Sequence, residues 1–234
     1  MVEKAGEGEV KAISLGLSEV DRILGGGVRL GEMVLIYGDS GTGKTSFAMT
    51  TTANCISMGF NAIYFSSEKP FAAERIIEIL GKNRMEEAKR VIVFMLDNFE
   101  KQMEIIDRLE YFITPKVKLI VIDTITSQYR NVIADRNVGI KANKELNKQL
   151  ALLKTASKKG IAVLITGQVR DIMGEEREEV VASNVLKYWT DNILRLEKYR
   201  DRRYIVVEKI GGKIVPEIRI PFRIVERGIL YGGI

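Results

Sequence analysis

The chain has no histidine and a single cysteine, Cys55. Without imidazole there is no histidine acid–base catalysis, and one thiol closes no internal disulfide. Together the two scarcities exclude a Cys/His zinc site. No apolar run approaches the ~20 residues that span a bilayer. The opening MVEKAGEGEVK is polar and mixed in charge, unlike a signal peptide or an apolar anchor. With no spanning run, no signal-like start and one cysteine, a cytoplasmic location is expected; internal repeats and low-complexity tracts are not visible. Neither sign of charge dominates: 36 Lys and Arg face 31 Asp and Glu, a net of +5. That excludes a histone-like polycation.

What is present suits a globular α/β protein. Hydrophobic residues make up 46% of the 234 and charged residues 29%, enough for a sizeable core and too apolar for disorder. Lys, Arg, Glu and Ile are abundant and Gln is scarce, a balance that leans toward a thermophile. Basic charge is uneven along the chain: Arg195 to Arg227 holds ten Lys/Arg against five Asp/Glu.

Short apolar segments alternate with amphipathic ones, which predicts a mostly parallel twisted sheet with helices on both faces. Expected strands are MVLIY (33–37), NAIYFSS (61–67), VIVFM (91–95), KLIVID (118–123) and IAVLIT (161–166). Expected helices are SEVDRIL capped by Ser18, about 44–58, Pro70 through Leu80, FEKQMEIIDRLEYF, and a long one carrying Ala142, Leu146, Leu150 and Leu153. After Asp191 only short strands and turns follow, a β-rich C-terminal edge. One domain is expected over 1–234, with 1–12 as a flexible lead-in.

Gly38-Asp39-Ser40-Gly41-Thr42-Gly43-Lys44-Thr45 fits the P-loop pattern G-x-x-x-x-G-K-[ST], followed by Ser46, between a predicted strand and a predicted helix. Such a loop turns backbone N–H groups toward phosphates, and the helix N-terminus adds partial positive charge. Lys44 is placed to reach the β- and γ-phosphates and Thr45 to ligate Mg²⁺. Asp123 ends a buried strand, where its carboxylate supplies the second magnesium-side ligand. Glu68 follows the strand after the P-loop helix, the position for a base that orients attacking water.

In order along the chain these motifs resemble the RecA superfamily and, within it, the archaeal recombinase branch of RadA and its short paralogue RadB. The resemblance runs from about Leu15 to Gly228. It rests on the P-loop, on Ser67-Glu68-Lys69-Pro70-Phe71-Ala72-Ala73-Glu74-Arg75, on Val121 to Arg130, and on Ile165-Thr166-Gly167-Gln168-Val169. It implies a RecA-like ATPase using ATP and Mg²⁺, with Glu68 as catalytic glutamate, Arg75 stacked on adenine and Gln168 sensing the γ-phosphate. It also implies DNA, single-stranded or branched, and a RadA-type main recombinase as partners.

The departures from the pattern shape the expected role. The chain starts almost at the ATPase core, and the F-x-x-A tetrapeptide of polymerising recombinases does not occur. Gly167 replaces asparagine before the sensor glutamine, and Lys69 replaces a glycine. The family's second DNA loop corresponds to 170–182, RDIMGEEREEVVA, where two arginines face five acids and repel phosphates. The first DNA loop holds Arg130 and Arg136. Further DNA contacts are expected from Lys198, Arg200, Arg202 and Arg203, with Tyr199 and Tyr204 for stacking. These features favour an accessory protein of DNA repair and recombination with weak ATPase activity. Two readings stay open. A KaiC-like ATPase shares LGGG and GDSGTGKT, but pairs two glutamates where this chain has Glu68 and Lys69. A non-hydrolysing, nucleotide-gated scaffold recruits a basic partner through the acidic loop.

Overall fold

The computed structural model describes residues 10–67, 71–133, 136–171 and 178–232. Strands β1 (Ala12–Ile13) and β2 (Val28–Arg29) enclose helix α1 (Ser18–Ile23). There follow β3 (Met33–Gly38), α2 (Lys44–Ser57), β4 (Asn61–Ser66), α3 (Ala73–Leu80), β5 (Val91–Met95), α4 (Phe99–Asp107) and β6 (Val117–Asp123). Next come α5 (Ile125–Val132), α6 (Arg136–Ser157), β7 (Ala162–Asp171), β8 (Glu178–Val180) and α7 (Ser183–Trp189). The chain ends in β9 (Asn192–Tyr199), β10 (Arg202–Ile210), β11 (Lys213–Val225) and β12 (Gly228–Tyr231). The main sheet has the order β12-β11-β10-β9-β3-β7-β6-β4-β5, with β8 attached to β7. Pairing is parallel from β9 through β5 and antiparallel from β9 to β12. This is the RecA-like architecture, a mostly parallel sheet with a β-rich C-terminal edge.

Two cores sit on the two faces, because successive side chains of a strand point to opposite sides. Val34 and Ile36 of β3 join Phe47, Ala53 and Ile56 of α2 on one face. Met33, Leu35 and Tyr37 join Leu146, Leu150 and Leu153 of α6 on the other. Every residue of β3 is buried, as a central parallel strand covered on both faces requires. Helix α2 is buried nearly all round, and two of its buried hydroxyls find local partners: Thr51 and Thr52 donate to the carbonyls of Phe47 and Ala48 at 2.8 Å each, whereas Thr50 Oγ1 has none among the described residues. Among the described residues no helix is long and apolar enough to cross a membrane.

Several boundaries differ from expectation, each for a packing reason. Ser18 is the first residue of α1 rather than its cap, and its hydroxyl donates to Glu19. Asp21 organises that helix start instead, accepting from the Leu15 amide at 2.7 Å and the Ser14 hydroxyl at 2.6 Å. Burial raises its carboxyl pKa, against the lowering effect of those bonds. Of the lead-in, residues 1–9 lie outside the described residues, while the Lys11 carbonyl accepts from the Leu30 amide and Ala12 pairs with Arg29. Helix α3 starts at Ala73; Phe71 is packed on the Tyr64 ring at 5.0 Å, and Ala72 has non-helical angles. Pro70 lies outside the described residues. The expected helix over 99–112 breaks after Asp107 into a 3-10 turn, Leu109–Phe112. The tighter turn aligns residues three apart, so Leu109 is buried while Phe112 meets Phe94 at 4.6 Å. Strand β7 does not stop at Thr166 but continues to Asp171, where Val169, Arg170 and Asp171 pair antiparallel with Val180, Glu179 and Glu178. The expected loop 170–182 is therefore in part a hairpin stem, and 172–177 lie outside the described residues.

Candidate functional site

Strand β3 delivers Gly38 to the carboxyl edge of the sheet, between Gln168 of β7 and Leu196 of β9. The loop that follows is built from its own bonds. Thr42 Oγ1 donates to the Asp39 carbonyl at 2.7 Å, and the Ser40 amide donates to Asp39 Oδ1 at 2.6 Å. Gly43 caps α2 in the left-handed region, with φ at +115°. A Cβ there would lie 2.9 Å from Ile224 Cδ1, so glycine serves both the turn and the approach of β11. No acid stands in the first turn of α2, which leaves its positive dipole end facing the cleft. Lys44 is buried, and its Nζ donates to the carbonyls of Gly38 and Asp39 at 2.9 and 2.7 Å.

The cleft holds about 380 Å³, within the size range of small-molecule sites. Its walls are Gly38, Asp39, Ser40, Gly41, Gly43, Lys44, Thr45 and Ser46 of the loop and α2, joined by Thr124, Arg130, Gln168, Val169 and Ile224. Thr42 is buried behind the loop. Of the expected residues, the fold thus brings the whole P-loop and Gln168 together. The Gln168 amide N–H donates to Thr126 Oγ1 at 2.9 Å and its carbonyl accepts from Val181 at 2.9 Å. Its backbone is fixed from two sides while its side chain meets the cleft.

Asp123 is 2% exposed at the end of β6. Tyr64 of β4 donates to its Oδ2 at 2.8 Å and Thr166 of β7 to its Oδ1 at 2.5 Å. The carboxylate is thus held from both neighbouring strands. The Asp123–Thr124 peptide is cis. Ser67 closes the corner: its amide donates to the Asp123 carbonyl at 2.9 Å, and its hydroxyl accepts from the Thr124 amide at 3.0 Å. Glu68 is next in sequence and lies outside the described residues. The donor set fits Mg²⁺, which binds through one or two carboxylates plus waters and substrate phosphates. A hydroxyl in the cleft (Thr45) and one oriented carboxylate (Asp123) meet that need. Among the described residues, no group of three or more acids, cysteines or histidines forms an all-protein cage.

Other expected residues are elsewhere. Arg75 is not on the cleft wall. Its guanidinium donates to the carbonyls of Val225 and Glu226, at 2.5 and 2.8 Å, and so pins the segment that carries Ile224 into the cleft. Arg130, expected in a DNA loop, lines the cleft itself. Arg136 begins α6, and its side chain lies outside the described residues. Arg203 approaches the P-loop, with Nη2 3.5 Å from the Gly41 carbonyl.

The basic C-terminal surplus is partly neutralised inside. Arg195 donates to Glu208 at 2.7 Å and Glu217 at 2.8 Å and pairs with Glu197, which also takes Arg219 at 2.9 Å. Burial opposes the Arg195 charge, and Glu208 and Glu197 outweigh it, so its pKa is raised. Tyr37, immediately before the P-loop, donates to both oxygens of Glu208 and is kept protonated by burial and that carboxylate. Lys209 donates to the carbonyls of Lys187 and Thr190. Outward stand Lys213, Arg223 and Arg227, and also the β9–β10 turn with Lys198, Arg200 and Arg202. Tyr199 is exposed there under the Arg200 guanidinium, whereas one face of Tyr204 is covered by Arg219 at 4.0 Å. Beside the turn, Arg202, Arg203 and Arg223 share a second cleft of about 520 Å³ with Tyr204, Phe222 and Tyr231.

Sequence reasoning did not single out Tyr64, Ser67, Thr126, Thr166 or Ile224 as parts of the site. Ser67, Thr126 and Thr166 did stand within the motif stretches around Glu68, Asp123 and Gln168; Tyr64 and Ile224 carried no such signal.

Comparison with known proteins agrees with this geometry. The Rad51 family matches residues 7–231. The DNA repair and recombination protein RadB of Methanocaldococcus jannaschii is 37% identical over 209 residues, covering 88% of this chain and 96% of that protein. The protein of the same name from Thermococcus gammatolerans is 34% identical over 224 residues, with 93% and 97% covered. A solved structure, described as the crystal structure of the RadB recombinase, superposes with a TM-score of 0.78 at 30% identity, over 94% of this chain and all of that one. With a P-loop cleft, an oriented strand-end aspartate and a glutamine on the facing wall, the chain belongs to the Rad51 family, in its RadB branch.

Proposed function

We propose that this chain is an ATP-binding accessory protein of DNA repair and recombination, acting as one RecA-like unit with weak, DNA-responsive ATPase activity beside a main recombinase. The observation that carries the reading is the meeting of Lys44, Thr45 and Gln168 in one cleft, with Asp123 oriented behind it, in a chain of the RadB branch. The P-loop amides and Lys44 bind the phosphates. Thr45 and Asp123 would hold Mg²⁺, which would supply charge neutralisation for the phosphates when bound. Glu68 orients a water whose oxygen bonds to the γ-phosphorus. The bond from that phosphorus to the bridging oxygen breaks, its electron pair leaves on ADP, and the water's proton passes through Glu68 to solvent. Gln168 touches the terminal phosphate from β7, a strand that runs straight into the β8 hairpin. DNA is bound by the outward basic turn at Lys198, Arg200 and Arg202, together with the arginine-lined second cleft.

The test is ATP turnover with and without single-stranded DNA, in the wild type and in Glu68→Gln. The reading expects slow turnover that DNA raises, and a loss of about 100-fold or more with ATP still bound in the variant. Tight ATP binding with no turnover in either protein replaces it with a nucleotide-gated scaffold.

A further inference from the structure

Two cations line the P-loop cleft, and they come from different helices, α2 and α5. Lys44 rises from the floor, with its ammonium between two loop carbonyls. Arg130 comes from α5, the helix that starts directly after Thr124. Among the described residues no hydrogen bond or ion pair engages its guanidinium, and the residue is exposed.

The helix that carries it is fixed on three sides. Gln128 Nε2 donates to the Leu96 carbonyl at 2.7 Å, and the Tyr129 hydroxyl donates to Asn143 at 2.8 Å. Thr126 Oγ1 accepts from the Gln168 amide at 2.9 Å. Thr126 and Arg130 are four residues apart, so they share one face of α5. That face is turned to β7 and the cleft, which sets Arg130 beside Gln168. A long cation on a rigid base, at the mouth of a phosphate cradle, suits a group that carries negative charge beyond the reach of the floor lysine.

We propose that Arg130 is a cleft residue that contacts the γ-phosphate within the same chain, an internally supplied arginine for phosphoryl transfer. Its guanidinium neutralises the equatorial oxygens of the terminal phosphoryl group as the bond to ADP breaks. ADP lacks that group, so Arg130 also separates ATP from ADP in binding. This inference rests on the nucleotide reading of the cleft given above.

The test measures ATP-analogue and ADP affinity without DNA, in the wild type, Arg130→Ala and Arg130→Lys, with turnover followed in parallel. Arg130→Ala should weaken the non-hydrolysable ATP analogue by roughly 10- to 100-fold and leave ADP within about twofold, as expected when a charge-assisted hydrogen bond is removed. Turnover should fall further, and Arg130→Lys should recover part of both. An equal loss of ADP and ATP analogue marks a structural role and overturns the proposal. So does an unchanged ATP-to-ADP ratio with weaker DNA binding, which returns Arg130 to a DNA contact. If the wild type binds neither nucleotide, the reading of the cleft fails first, and that failure is visible before any variant is made.

Discussion

The Thr166 hydroxyl donates to Oδ1 of Asp123 at 2.5 Å, across the junction between two parallel strands, while Tyr64 holds the other oxygen. Two donors on the two oxygens restrict the rotation of the carboxylate and so orient the lone pairs left for a cation. Partners of this kind commonly change metal affinity by about 10- to 100-fold when removed. Thr166→Val keeps the volume and deletes the donor. We expect the Mg²⁺ concentration for half-maximal ATP turnover to rise within that range, with the fold intact by circular dichroism. An unshifted Mg²⁺ titration would remove Thr166 from the site.

Gly167, the departure from the family's asparagine, has a packing cause. A Cβ there would lie 2.8 Å from Cγ2 of Val180, which is fully buried on the β8 hairpin. Gly167→Ala should cost about 1–3 kcal/mol by overpacking. Val180→Ala in the same chain should return much of it, so that the two changes couple in a double-mutant cycle. Urea midpoints of the four proteins give the coupling, and strict additivity would contradict the close approach.

The outward turn between β9 and β10 is the surface on which DNA affinity should depend. Arg200→Ala with Arg202→Ala should lower the slope of log affinity against log salt by roughly two units, about one for each phosphate that is no longer neutralised. Binding isotherms from 50 to 200 mM salt (about the range where such slopes show) would reveal it. An identical slope would make the turn a solvated one.

Cys55 is fully buried on α2, with Sγ 3.7 Å from the Asn61 carbonyl, and burial pushes its thiol up to about 12. The native protein should not react with a thiol reagent at pH 8, and labelling should follow global unfolding. From the thiol's ordinary value of 9.0 up to about 12 only the unfolded chain releases this proton, so stability should decline across that window as pH rises. Labelling of the folded protein as fast as a free thiol would contradict both statements.

The phosphate loop was legible in the sequence because everything that defines it is local. Eight consecutive residues carry the glycines, the lysine and the hydroxyl, and the apolar runs around them announce a strand and a helix. The central strands were legible for the same reason, since burial on both faces leaves continuous apolar segments such as Met33 to Tyr37. What joins Asp123 to Tyr64 and Thr166 is not local: these partners stand 59 and 43 residues away. They meet only because β6 lies between β4 and β7, and strand order is a property of the whole sheet. Charge told even less by itself. Arg75, Arg130, Arg195 and Arg200 read alike as basic residues. One pins a β-turn, one lines the P-loop cleft, one is caged by glutamates and one is exposed over Tyr199. A guanidinium reaches any acceptor within the length of its side chain, so its role follows from which elements fold beside it, and tertiary structure alone decided that.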